Sequence, residues 1–207
     1  MATGTGMSAE DQSYAADTGP RAMRRRIVAL GGTMRPGSST ERALLIACEA
    51  AREEGAEVTL FDGAYIANLP HYRGPAWTVT TAADLIEAVR TADGVLIASP
   101  GYHGTVSGMV KNAIDYLEEL ANDARPYLHG RPVGLIVTAF GHQAANTGMT
   151  TMRTIAHALR GWPTPFGAAL KVNSESFGES GDCLDPVVRE QLELVGRQVA
   201  QAAGRLG

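Results

Sequence analysis

Ten residues near the start of the chain carry a dense set of anion donors: Gly31-Gly32-Thr33-Met34-Arg35-Pro36-Gly37-Ser38-Ser39-Thr40. Four hydroxyls (Thr33, Ser38, Ser39, Thr40) and one guanidinium stand together with no carboxylate among them. A helix opening at Ser38–Thr40 would add free N–H groups and a partial positive charge, both of which favour a phosphate. Arg35 can grip phosphate oxygens bidentately. A plain helix cap needs one such hydroxyl, not four and an arginine. Two nucleotide motifs are absent. The glycines stand at 31, 32 and 37, so G-x-G-x-x-G does not occur; Gly32 and Gly37 have Walker A spacing, but Ser38 occupies the lysine position. These donors point to a phosphate monoester on a flat carrier.

Two further stretches have the composition of ligand loops. In Ser99-Pro100-Gly101-Tyr102-His103-Gly104-Thr105, the glycines permit close backbone approach and Pro100 fixes one φ and removes a donor. Tyr102 and His103 can flank an aromatic ring, or His103 can be an ordinary turn residue. No nucleophile neighbours His103, and Ser99 is not in G-x-S-x-G, so a hydrolytic triad is not supported. In Thr138-Ala139-Phe140-Gly141-His142-Gln143, small residues leave room for a planar ring and Gln143 can bond its edge; an ordinary strand-to-helix turn reads equally well.

The elements that must position these loops alternate regularly. Ile27–Leu30 reads as a buried strand, followed by a helix with Leu44, Ala47, Cys48 and Ala51 on one face and Gly55 at its end. Glu57–Phe61 is a second strand. Residues 62–79 form a long aromatic connection holding Tyr65, Leu69, Pro70, Tyr72, Pro75 and Trp77, of a kind more often functional than idle. Thr80 or Thr81 opens a helix with Leu85, Ile86 and Val89 inward. Gly94–Ala98 is a third strand, and Met109 to Leu120 a third helix. Arg131–Ala139, a helix through Met149 and Met152 to Leu159, Phe166–Val172, and a helix opened by Asp185-Pro186 complete the series. Strands apolar on both faces, alternating with amphipathic helices, require a parallel sheet covered on both sides. The expected fold is α/β: a flavodoxin-like three-layer α/β/α sandwich with a five-stranded parallel sheet in the order 2-1-3-4-5. In such sheets ligands lie beyond the carboxyl ends of the strands, which selects the loops after residues 31, 98 and 138.

Composition removes other classes. The 207 residues carry 18 basic and 22 acidic side chains, net charge −4, so no basic excess supports nucleic-acid binding. No apolar run approaches the roughly 20 residues that span a bilayer. Cys48 and Cys183 form no CxxC and no Cys/His cluster, so reduced thiols, no metal and a cytoplasmic location are expected. Residues 1–25 read as a mobile tail and residues 26–207 as one domain, with Arg24, Arg25 and Arg26 a solvated run at the junction.

Two segments carry a resemblance. GGTMRPGSST is similar to the G-S-x-R-x-x-S phosphate loop, and SPGYHGTVSGMVKNAIDYL to S-P-x-Y-x-G-x-x-x-G-x-x-K-N-x-x-D, of the NADPH-dependent FMN reductases, a flavodoxin-like family of flavin, quinone, azo-dye and chromate reductases. The likeness spans residues 26–200. It implies that Thr33, Arg35, Ser38, Ser39 and Thr40 hold the FMN phosphate. It implies that Pro100, Gly101, Tyr102, His103, Gly104 and Thr105 wrap the isoalloxazine and ribityl chain, with Ala139, Phe140 and Gly141 closing the site. Lys111, Asn112 and Asp115 match residues that tie subunits or a loop together, and Trp77, Tyr72 and Phe140 are candidates for the substrate slot. The third loop departs from the serine- and glycine-rich run of many members, and EELANDARPYLHGRP after the third helix is longer than in the shorter ones. The implied activity is hydride transfer from NADPH or NADH to FMN and on to a small-molecule electron acceptor: a quinone, an azo compound or the flavin of a partner monooxygenase. The implied assembly is a homodimer or homotetramer. The rival readings are a flavodoxin-like electron carrier, against which Arg35 counts, and a flavin-free binding protein.

Overall fold

Ile27 to Leu30 can be apolar throughout because both faces of their strand are covered. In the computed structural model, which describes residue 1 and residues 24–75, 80–173, 175–178 and 181–206, all four are buried. This strand, β1 (Arg26–Gly31), pairs in parallel with β2 (Glu57–Phe61) on one side and β3 (Gly94–Tyr102) on the other. β3 pairs in parallel with β5 (Pro132–Ala139), after a two-residue β4 (Thr105–Val106) that folds back antiparallel on the end of β3. The outer position is shared by β6 (Trp162–Pro163) and β7 (Ala168–Lys171), each parallel to β5.

The order is the one expected, but seven strands replace five. The fifth strand is interrupted because Pro163 and Pro165 have no N–H to donate. Between them Thr164 gives its N–H to Val133 and its hydroxyl to Phe166 O. The third strand runs four residues past Ala98, the end expected for it, and turns at Tyr102-His103-Gly104-Thr105. His103 and Gly104 have φ of 50° and 83°, the pair of positive values that a tight two-residue hairpin needs.

Helices cover both faces. α1 (Ser39–Glu53) and α6 (Pro186–Ala202) lie on one side, over a core of Ala29, Leu44, Cys48, Leu96, Ile136 and Val195. α3 (Ala83–Thr91), α4 (Gly108–Asp115) and α5 (His142–Ala158) belong to the other side, over Val28, Leu30, Leu85, Val110, Val137 and Met152. Ser38 caps α1 as expected, its Oγ accepting from Glu41 N–H. Asp185 caps α6 with bonds to Val187 and Val188 N–H. The expected third helix ends earlier: α4 tightens into a 3₁₀ segment at Tyr116–Leu120.

The long connection is not the structureless aromatic loop its sequence suggests. Asp62 accepts from Tyr65 N–H and starts a short helix, α2 (Gly63–Ala67). Tyr72 then packs edge-on against Tyr116, ring centroids 5.1 Å apart, and donates to Glu119. Burial first, then the Glu119 bond and charge, push its phenol up to about 12. Asn112 accepts from Tyr72 N–H at 2.8 Å and donates to Leu69 O and Pro70 O, while Lys111 pairs with Asp115. Thus Asn112 ties down a loop of its own chain. Trp77 lies outside the described residues, as do residues 2–23 of the expected tail. Of the arginines expected to be solvated, Arg24 and Arg26 are exposed, while Arg25 is half-buried and its guanidinium donates to Ala200 O.

Candidate active site

Parallel pairing brings the three chosen loops to one edge. Gly31 stands opposite Ala98, and Pro100 opposite Thr138. Beyond these strand ends lies a cavity of about 730 Å³, of the size and shape of a small-molecule site. Its wall takes Thr33, Arg35, Ser38, Ser39 and Thr40 from the first loop, Pro100, Gly101 and Tyr102 from the second, and Ala139 and Phe140 from the third.

Four expected residues stand off this wall. His103, Gly104 and Thr105 form the hairpin tip instead, and Gly141 is the residue before α5. Gly101 serves packing as well as approach: a Cβ there would meet Ala144 O at 3.0 Å and the Ala139 side chain at 3.1 Å. Tyr72 stands off the wall and belongs to the anchored loop; Gln143 also stands off it, exposed on the first turn of α5.

Sequence reasoning missed Met34, Ser107, Met109, Thr138, Val172 and Asn173, all on the wall. Val172 and Asn173 follow β7, so the rule that selected the other strand ends would have found them. Ser107 has a double task, accepting from Val110 N–H to cap α4 and donating its own N–H to the buried Ser99 Oγ.

The two ends of the cavity differ chemically. At the α1 end, Thr33 uses its hydroxyl inside the loop, donating to Arg35 O and accepting from Arg35 N–H, both at 3.2 Å. This shapes the turn that presents Arg35. Glu41 reaches back to accept from Gly37 N–H at 2.7 Å, one residue before the Ser38 cap. The N–H groups of Ser39 and Thr40, first in the helix, have no intrahelical partner. Ser38 keeps its hydroxyl proton, since Oγ only accepts. The loop is seated by a contact that no local pattern reveals: a Cβ on Gly63 would lie 2.0 Å from Thr33 O, and one on Gly32 would lie 2.8 Å from Gly63 N. Two backbones touch here, so Gly63 sets where Thr33 and Arg35 can stand.

The rest of the wall carries the apolar Pro100, Met109, Ala139, Phe140 and Val172, with Ser107, Thr138 and Asn173 among them. Met34, Tyr102 and Phe140 are 79%, 54% and 84% exposed, so the mouth is open and apolar. Arg35 is the charged residue of the wall, and no carboxylate lines it among the described residues. No group of His, Cys, Asp and Glu among the described residues could hold a metal ion. Both cysteines are free and buried, and burial pushes the Cys48 thiol up to about 12, so it stays protonated.

Residues 25–173 match the family described as NADPH-dependent FMN reductase. The chain belongs to that family. It is therefore an NAD(P)H-dependent FMN oxidoreductase, with FMN as cofactor and NADPH as co-substrate. Curated relatives of this FMN reductase include an NADPH azoreductase from Bacillus sp. (strain OY1-2), 28% identical over 136 residues, which are 65% of this chain and 72% of that protein. An FMN-dependent NADPH-azoreductase from Staphylococcus aureus (strain USA300) is 32% identical over 98 residues, 47% of this chain; the match spans about half of that relative, 48%. Among solved structures, the flavoenzyme NAD(P)H:(acceptor) oxidoreductase FerB from Paracoccus denitrificans shares the fold, with a TM-score of 0.70 at 19% identity, covering 86% of this chain and 99% of that one.

The cavity fits the cofactor. A phosphate needs converging donors, and the α1 end holds unpaired N–H groups, free hydroxyl protons and a guanidinium. A flat ring needs an apolar wall of small or planar groups, which Pro100, Ala139 and Phe140 supply. No helix among the described residues is long and apolar enough to cross a membrane.

Proposed function

We propose that this FMN reductase binds FMN with its phosphate at the N-terminus of α1 and its ring system against Pro100, Tyr102 and Ala139, and reduces planar aromatic acceptors. One observation carries the reading: a single cavity, with no carboxylate on its wall among the described residues, joins hydroxyls, N–H groups and Arg35 to open apolar surface. FMN, when bound, supplies the redox chemistry, taking a hydride from NADPH and passing two electrons to the acceptor.

The chain's own residues bind and orient. Arg35 supplies charge-assisted hydrogen bonds to the phosphate. Ser38 and Ser39 donate hydroxyl protons to it. Tyr102 and Phe140, exposed at the mouth, offer ring faces to whichever planar molecule enters. The absence of a fixed negative charge on the wall among the described residues suits an azo compound or a quinone, and azo compounds are supported further by the names of the two relatives above. A partner monooxygenase that takes up reduced flavin is a second destination for the electrons. An assembly of two or four copies is the state expected from the resemblance; light scattering after size exclusion measures it.

Anaerobic rapid mixing tests the reading. NADPH should be consumed only when FMN is present, and an azo dye or a quinone should then restore the oxidised spectrum. FMN that binds but is not reduced by NADPH would mark an electron carrier. A protein that neither copurifies with FMN nor binds it would end the proposal.

A further inference from the structure

The hydroxyl oxygens of Thr40 and Thr138 lie 2.7 Å apart on the cavity wall, and both residues are buried. Thr40 belongs to the first turn of α1; Thr138 is the penultimate residue of β5. A hydroxyl has one proton and two lone pairs. Between two hydroxyls only one proton can lie on the connecting line, so the pair always has a second proton directed elsewhere. Among the described residues neither oxygen has another hydrogen-bond partner. The wall therefore carries one hydroxyl donor that the described residues leave free for a molecule in the cavity.

Two arrangements exist. With Thr40 as donor, the spare proton sits on Thr138, at the end of a strand. With Thr138 as donor, it sits on Thr40, beside the unpaired N–H groups of Ser39 and Thr40 and at the positive end of α1. An anion at that helix end selects the second arrangement, because only then do all the neighbouring donors converge on it. The first arrangement turns a lone pair of Thr138 toward Thr40 and leaves no Thr40 proton for the anion.

We propose that Thr138 is a positioning residue for cofactor binding: it donates to Thr40 and so directs the Thr40 hydroxyl proton at the FMN phosphate. This rests on the proposed placement of FMN. The role falls to a residue on a strand remote in sequence from the phosphate loop, and it couples the third loop to the first through one proton.

The test is a set of FMN titrations, read by quenching of flavin fluorescence, on the wild-type chain and on Thr40→Val, Thr138→Val, Thr138→Ser and the Thr40→Val/Thr138→Val double variant. Valine preserves shape and removes the hydroxyl. Each valine variant should weaken binding about fivefold, the worth of a single hydrogen bond, and the double variant should be no weaker than Thr40→Val within about twofold. Thr138→Ser should bind like wild type. Thermal unfolding of the apo proteins accompanies each titration, since a merely structural threonine lowers the melting temperature without changing the FMN dissociation constant. An unchanged constant in Thr138→Val overturns the inference, whatever its stability. So does a double variant whose loss is the product of the single losses, which would mean two independent contacts. Those results leave FMN binding by the wild type intact, whereas wild-type protein that does not bind FMN overturns the placement of the cofactor and this inference together.

Discussion

Arg35 and Arg131 stand at opposite ends of the sheet and are used in opposite ways. Arg131 precedes β5 at the amino end, fully buried, and donates to Ala92 O, Tyr127 O and Arg90 O. These carbonyls belong to the last turn of α3 and to the 121–130 segment, so one guanidinium closes a helix end and fastens a loop. Burial, with the Arg125 charge beside it, lowers its pKa to about 10, yet it remains a cation at neutral pH. Arg35 is exposed at the carboxyl end, and no hydrogen bond or ion pair engages its side chain among the described residues. The fold thus commits its donors where stability is set and leaves them uncommitted where a ligand is to come. A stretch of uncommitted donors is a better mark of a site than the mere presence of charge.

Removing each arginine should separate the two ends. Arg131→Met removes three charge-assisted hydrogen bonds, to Ala92 O, Tyr127 O and Arg90 O, and should cost about 3–5 kcal/mol of stability. A urea melt should show it, while the fraction still folded binds FMN as wild type does; an equal loss of FMN affinity would break the contrast. Arg35→Ala should weaken FMN by about 1.5–3 kcal/mol, the range for hydrogen bonds to charged groups. Its melting curve without cofactor should overlay that of the wild type. Ser38 belongs to both ends of the contrast, because it caps α1 and keeps a proton for the ligand. Ser38→Ala should lose about 1 kcal/mol of stability and bind FMN less tightly as well, measured on the same two instruments.

Tyr72 sharpens the comparison with a smaller effect. It sits near the ligand end in sequence but behaves as a structural group, its phenol raised to about 12 by burial and by Glu119. The native state therefore holds this proton more tightly than the unfolded chain does. The resulting stabilisation is present below the ordinary phenol pKa of about 10 and is lost as pH rises from there toward 12. Tyr72→Phe should show a shallower decline across that window in denaturant melts repeated at alkaline pH, with NADPH oxidation at neutral pH nearly unchanged. A sharp fall in turnover would return Tyr72 to the substrate slot.

Local signals in the sequence were the most readable. Ser38 and Asp185 cap their helices because a capping side chain acts within three residues of itself. That the loops after β1, β3 and β5 share one sheet edge was readable because alternating strands and helices leave few topologies, although β3 ends four residues beyond the expected Ala98. What escaped was set by distant contacts. Gly63 matters through the backbone of Thr33, thirty positions away, and no periodicity encodes that. The hairpin that carries His103 was not readable, because it depends on where β3 stops, which β4 decides. Thr138 was visible as a loop residue, but its value lies in a partner on another element. Arg131 read as the first residue of a strand; its burial follows from α3 ending above it.

The interrupted outer strand has a consequence for life at high concentration. A sheet edge ordinarily offers a row of amides on which a stranger's chain can zip. Along Trp162 to Gly167, two prolines have no N–H, Thr164 has turned its own inward to Val133, and Arg153 occupies the carbonyls of Thr164 and Pro165. A neighbouring molecule finds little there to template on, so crowding should not seed filaments from this flank.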